Sequence, residues 1–120
     1  KNIIAKSFFK KAKVSNKIQT EVSNANEALI KLIKNKKKYD LILIDADKEN
    51  YISYFDKSLK LLNKNGLLVV DNILWKGDVI NINSKDKLTK KIKLFNLHVK
   101  KSKINKYILP IGDGFYICWK

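Results

Sequence analysis

Arginine and methionine are absent from this chain; proline, cysteine and histidine occur once each, and glycine four times. Each shortage excludes something. The lone cysteine, Cys118, has no partner for an internal disulfide, which fits a reducing, cytoplasmic compartment. The four glycines, Gly66, Gly77, Gly112 and Gly114, make no loop that could cradle a phosphate or a cofactor. No apolar run approaches ~20 residues, so no transmembrane helix and no membrane partner are expected. The amphipathic, Lys-rich first residues do not read as a secretory signal. The missing arginine bears on the charge: 26 basic residues, all lysine, against 11 acidic ones leave a net charge of +15. Such a balance invites a nucleic-acid reading. Yet arginine is the usual side chain for bidentate base and phosphate contacts, and no aromatic stacking platform is evident. A basic nucleic-acid-binding domain therefore stands only as an alternative.

What is present argues for a folded α/β unit. At 120 residues and 45 % hydrophobic, the chain suffices for one domain with a modest core. Two short apolar runs, Leu41-Ile42-Leu43-Ile44 and Leu67-Leu68-Val69-Val70, lead into Asp45 and Asp71. Runs of this kind read as strands buried on both faces. Ligands of open α/β sheets bind beyond the carboxyl ends of such strands. Asp45, Asp71 and Asn72 would then be three hard oxygen donors at one crevice, a set suited to a divalent cation.

The remaining segments alternate. An amphipathic helix is expected over residues 2–13, with Ile4, Phe8 and Ala12 on one face. A strand is expected over Ile18 to Val22. Ser23-Asn24 offers a turn and an N-cap for a helix carrying Ala25, Ala28, Leu29, Leu32 and Ile33. Tyr51, Phe55, Leu59 and Leu62 mark a third helix, which Asn65-Gly66 is expected to end. A loop spans residues 73–83. A helix then runs from about Ser84, its expected N-cap, to Lys100, and a hairpin pairs Ile104–Leu109 with Phe115–Trp119. His98 reads as structural or exposed, Cys118 as core, and Asp113 as a turn residue without chemistry. The fold class is α/β: a mainly parallel sheet flanked by helices, with an antiparallel C-terminal hairpin.

Three stretches, in this order, carry a family resemblance: Tyr39-Asp-Leu-Ile-Leu-Ile-Asp45-Ala-Asp-Lys-Glu-Asn-Tyr51, Leu61-Leu-Asn-Lys-Asn-Gly66-Leu-Leu-Val-Val-Asp71-Asn-Ile-Leu-Trp75, and Leu109-Pro-Ile-Gly-Asp-Gly114. The chain resembles the C-terminal part of the cation-dependent class I O-methyltransferases of the caffeoyl-CoA and catechol type. The resemblance implies a Rossmann-like sheet and a single methyltransferase domain of which residues 1–120 are the C-terminal part. It implies methyl transfer from S-adenosylmethionine to one hydroxyl of a vicinal dihydroxy aromatic acceptor, with Mg²⁺ as the usual ion. It implies Asp45, Asp71 and Asn72 as metal ligands, Lys48 as general base, and Ala25, Asp47 and Asn24 as cofactor contacts. Asp45, Trp75 and Lys76 would meet the acceptor. Lys76 stands where plant members have Asn, so hydroxycinnamoyl-CoA specificity does not carry over. The family's glycine-rich loop, its ribose-holding acid and two central strands are expected upstream of Lys1. The resemblance further implies a homodimer for the full-length protein. A truncated, inactive remnant or subunit is the other alternative.

Overall fold

A computed structural model describes residues 2–120. Four strands form one sheet in the order β1-β2-β4-β3: β1 (Tyr39–Ile44), β2 (Leu62–Val70), β3 (Asn105–Leu109) and β4 (Phe115–Trp119). The β1–β2 pair is parallel, while β2–β4 and β3–β4 are antiparallel. Parallel neighbours need a crossover, and helix α3 (Tyr51–Leu61) supplies it. With α2 (Ala25–Lys34) beside it and α4 (Lys87–Lys101) following β2, α3 covers one face of the sheet.

The core lies between these helices and that face. Ile44, Leu68, Val70, Tyr116 and Cys118 point into it from the strands, and Tyr51, Phe55, Ile92, Phe95 and Val99 from α3 and α4. Phe95 is its centre, meeting Tyr51, Phe55 and Tyr116 edge-on at ring distances of 5.3, 5.8 and 6.2 Å. Edge-on pairs set the positive rim of one ring against the negative face of another. Cys118 is fully buried, as expected, and burial pushes its thiol up to about 11.

Several expectations need correction. The β1 run is not buried on both faces: Leu41 and Leu43 are 62 % and 63 % exposed, because none of the described helices covers their side of the sheet. Ile18–Val22 forms no strand; a ladder needs a partner, and none of the described residues offers one. A short 3-10 turn, Ser15–Lys17, precedes it instead. Helix α1 (Asn2–Lys11) forms, but Ile4 and Phe8 stay exposed and α1 touches only the turn that follows it. Asn65-Gly66 does not end α3. The helix stops at Leu61, Leu62 is already extended, and β2 runs through residues 63–66 as an irregular insertion. Tyr39 pairs with Leu62 but Leu41 with Leu67, and Asn65 takes a left-handed φ of 64° to accommodate the extra residues. Ser84 is not the N-cap of α4. Asp86 caps it, accepting from the Thr89 backbone N–H at 2.6 Å, while Ser84 donates to Asp78. Among the described residues no helix is long and apolar enough to cross a membrane.

Candidate active site

The site forms where the parallel strands end together. Ile44 pairs in register with Val70, and the Asp71 N–H donates to the Ile44 carbonyl at 3.0 Å. This register places Asp45 and Asp71 side by side at the carboxyl edge. Beyond Asp45 the chain makes a 3-10 turn, Lys48–Asn50, before entering α3. The turn folds Lys48 back over the strand ends.

Lys48 is the hub. Its ammonium donates to Asn72 Oδ1 at 2.6 Å, to Asp45 Oδ1 at 3.4 Å and to the Tyr51 hydroxyl. It also sits 4.6 Å from the centre of the Tyr51 ring, a cation–π contact. Only 11 % of the Lys48 side chain is exposed, against 60 % for Asp45. The Tyr51 hydroxyl in turn donates to the Asp71 carbonyl at 3.1 Å, and burial raises the pKa of the phenol. Asp71 Oδ1 accepts from the Asn72 N–H. Asn72 holds a left-handed φ of 61°, which aims its amide back at Lys48.

Among the described residues no three His, Cys, Asp or Glu side chains gather at one point. Two hard oxygens, Asp45 Oδ1 and Asn72 Oδ1, share one cation, the Lys48 ammonium, while Asp71 Oδ1 accepts from the neighbouring Asn72 N–H; oxygen donors of this kind are the type that suits a hard divalent ion.

A cleft of about 320 Å³ opens beside the strand ends between α2, β1 and α3. Ala25, Ile42, Ile44, Asp45 and Tyr54 line it. Asp47 joins through Tyr54, whose hydroxyl donates to Asp47 Oδ1 at 2.6 Å. That bond, with burial, pushes the Tyr54 phenol up to about 12. Burial pushes Asp47 upward, but the bonds from Tyr54 and Asn50 outweigh it and hold its carboxyl below the ordinary value. Asp47 makes no side-chain cap to the turn that follows, so its carboxylate serves Tyr54 and Asn50 rather than the helix end. Asn24 is placed differently. Its Oδ1 caps α2, accepting from Asn26 N–H at 2.9 Å and Glu27 N–H at 3.4 Å, and its side chain does not line the cleft. A larger, more open depression of about 690 Å³, bounded by Leu97, Lys100 and Tyr107, contains none of the sequence-predicted site residues.

Trp75 and Lys76 follow the site on a left-handed turn, with φ of 48° and 53°, continued by Gly77 at 82°. Trp75 is half-buried against the core, and Lys76 is exposed. The Lys76 N–H donates to the Asp113 carboxylate, and the Leu74 N–H to the Asp113 carbonyl at 3.0 Å. His98, outside the site, makes an exposed contact with Asp56 at 2.7 Å.

The structure brings Lys48 into contact with Asp45 and Asn72, with Asp71 next to Asn72; Tyr51, Tyr54 and Asp113 also contact expected site residues, and sequence reasoning gave them no such place. Tyr51 carried a signal: it lies three residues after Lys48, a spacing that stacks neighbours on a helical surface. Asp113 carried none beyond its turn composition.

The family described as O-methyltransferase matches residues 1–120. Caffeoyl-CoA O-methyltransferase 5 of Nicotiana tabacum is 34 % identical over 121 residues, covering 92 % of this chain and 50 % of the relative. The catechol O-methyltransferase domain-containing protein 1 of Mus musculus is 28 % identical over 120 residues, covering 98 % and 46 %. A crystal structure of the O-methyltransferase from Bacillus cereus in complex with SAH superposes with a TM-score of 0.81 at 28 % identity, over 98 % of this chain and 57 % of that one. The chain spans about half the length of the relatives it matches. With its sheet, its strand-end acids and a family match over its whole length, this chain belongs to the O-methyltransferase family.

Proposed function

We propose that residues 1–120 are the C-terminal part of a single methyltransferase domain, carrying the catalytic edge of an S-adenosylmethionine-dependent O-methyltransferase. The acceptor is a catechol-like aromatic with adjacent hydroxyls, and the reaction depends on a divalent cation such as Mg²⁺. One observation carries this reading: Asp45 and Asn72 turn their oxygens toward one point, where Lys48 brings its amine, with Asp71 beside them.

Asp45, Asp71 and Asn72 would hold the ion, which lowers the pKa of a coordinated hydroxyl and orients it. Lys48, in its neutral amine form, takes the hydroxyl proton and becomes the ammonium. Its side chain is withdrawn from bulk water, and Tyr51 and Asn72 fix the position of its amine. Ala25 and the Asp47–Tyr54 pair form the wall toward S-adenosylmethionine, with the Asn24 cap at its border. Trp75 and Lys76 stand on the acceptor side. Correct placement of hydroxyl and methyl donor supplies much of the acceleration. A homodimeric full-length protein in the cytoplasm completes the reading.

The test is methyl transfer from S-adenosylmethionine to catechol by the full-length protein, with and without EDTA. Chelation is expected to abolish turnover, and unchanged activity would overturn the metal role. Asp71→Ala is expected to lower turnover by more than the ~10–100-fold that partners of metal ligands contribute, with the fold retained by circular dichroism. Calorimetry that shows no binding of S-adenosylmethionine would overturn the cofactor assignment.

A further inference from the structure

An asparagine serves a cation only through its oxygen. Its amide can rotate by half a turn and present NH₂ instead, so something must choose the orientation. At Asn72 the choice is visible. Oδ1 faces the Lys48 ammonium at 2.6 Å, and Nδ2 faces Asp113 Oδ2 at 3.5 Å. A carboxylate only accepts, so Asp113 favours the NH₂ end and leaves the oxygen for the site.

Asp113 is itself held by residues 73–76, the segment that follows β2. Its other oxygen accepts from the Lys76 N–H and its carbonyl from the Leu74 N–H, while the Gly114 carbonyl accepts from the Ile73 N–H at 3.1 Å. Gly114 has a φ of 76°, and a Cβ there would collide with the Leu74 side chain, so the turn lies flush against residues 73–74. From the other side, α4 sends Asn96 Nδ2 to the Ile73 carbonyl at 2.8 Å. That bond orients the Asn96 amide, with Nδ2 toward Ile73. The backbone after Asn72 is thereby gripped from the 110–114 turn and from α4, at the point where Asn72 needs its left-handed conformation.

Resting on the cation reading of Asn72, we infer that Asp113 is a positioning residue: it selects the amide orientation of Asn72 and anchors the turn that carries Trp75 and Lys76. It does so without touching the reacting atoms. A mere turn residue would tolerate asparagine, which keeps an oxygen for the Lys76 N–H. A positioning residue would not, because the new amide no longer offers Asn72 an acceptor-only partner.

The experiment uses ¹⁵N-labelled protein and Mn²⁺ as the probe ion, with Asn72→Ala to assign the Asn72 side-chain amide pair. In Asp113→Asn the Asn72 pair is expected to move, the Lys76 backbone resonance to stay, and Mn²⁺ affinity to fall about tenfold at unchanged thermal stability. Asp113→Ala also loses the Lys76 bond, so Mn²⁺ affinity is expected to fall further and thermal stability to drop as well. An unmoved Asn72 pair, or wild-type Mn²⁺ affinity in Asp113→Asn, overturns the inference. If the unsubstituted protein binds no Mn²⁺, the cation reading fails, and movement of the Asn72 amide pair alone then decides the positioning role.

Discussion

The two faces of the sheet are built from the same strands and differ in almost everything else. On one face Ile44, Leu68, Val70, Tyr116 and Cys118 are buried under α3 and α4. On the other, Leu41, Leu43, Leu67, Tyr107 and Trp119 alternate with them along β1–β4 and remain exposed, Tyr107 by 62 %. The residue types are alike; the presence of helices decides their burial. The total accessible surface, 8861 Å², exceeds the ~6,700 Å² expected for a compact monomer of this mass. The site sits at the carboxyl end of the covered side, and hydrogen bonds from that side reach it: Tyr51 projects from α3 to the Asp71 carbonyl, and Asn96 from α4 to the Ile73 carbonyl.

The largest expected effect lies in the covered face. Phe95→Ala should cost about 3–5 kcal/mol, since it removes the ring that joins Tyr51, Phe55 and Tyr116. Urea unfolding measures it, and a cost near that of a surface substitution would mean the packing is loose. Next comes the polar staple that holds the N-terminus of α4. Thr89 is fully buried, and its hydroxyl lies 2.9 Å from Asp86 Oδ2 and against Asp78 Oδ2. Thr89→Val should cost about 1 kcal/mol by the same measurement.

The staple also titrates. Hydrogen bonds from Ser84 and Thr89 lower Asp78, and those from the Thr89 backbone and hydroxyl lower Asp86, both below 3.8. A depressed carboxyl contributes stability that is complete above its unfolded value and is lost as pH falls through the folded one. Stability should therefore decline below about pH 4. Asp78→Asn should flatten that decline, and an unchanged acid limb in unfolding curves would contradict it. Tyr54 gives the alkaline counterpart. Its phenol, raised to about 12 by Asp47, contributes fully below the unfolded value near 10 and fades as pH approaches 12. Ultraviolet titration of Asp47→Asn should show one tyrosine ionising earlier than in the parent protein.

The smallest effect belongs to the open face. Leu41→Lys and Leu43→Lys should each change stability by no more than about 0.5 kcal/mol, while reducing light scattering by the protein. A cost approaching that of Phe95→Ala would show that this face is covered in solution and erase the contrast.

The meeting of Asp45, Lys48 and Asn72 at the strand ends was legible in the sequence. Asp45, Asp71 and Asn72 follow apolar runs directly, so strand direction alone carries them to one edge, and Lys48 follows by motif. What chain order could not show was support from a distance. Asp113 lies 41 residues from the asparagine it faces, and Tyr54 meets Asp47 only because the 3-10 turn rotates α3 into place. The strand expected at Ile18–Val22 failed for a similar reason. Its residues suit a strand, but a ladder is made by two segments, and none of the described residues supplies the second.

By itself, the sequence determined the helices and strands from Ala25 onward, the final hairpin and which polar residues stand at the two strand ends. Those depend on local periodicity and on residues adjacent in the chain. Tertiary structure alone decided which face of each strand is buried, which way the Asn72 amide points and where Lys48 rests. These depend on contacts between segments far apart in sequence, where packing and hydrogen-bond pairing choose among conformations that local chemistry leaves nearly equal in energy.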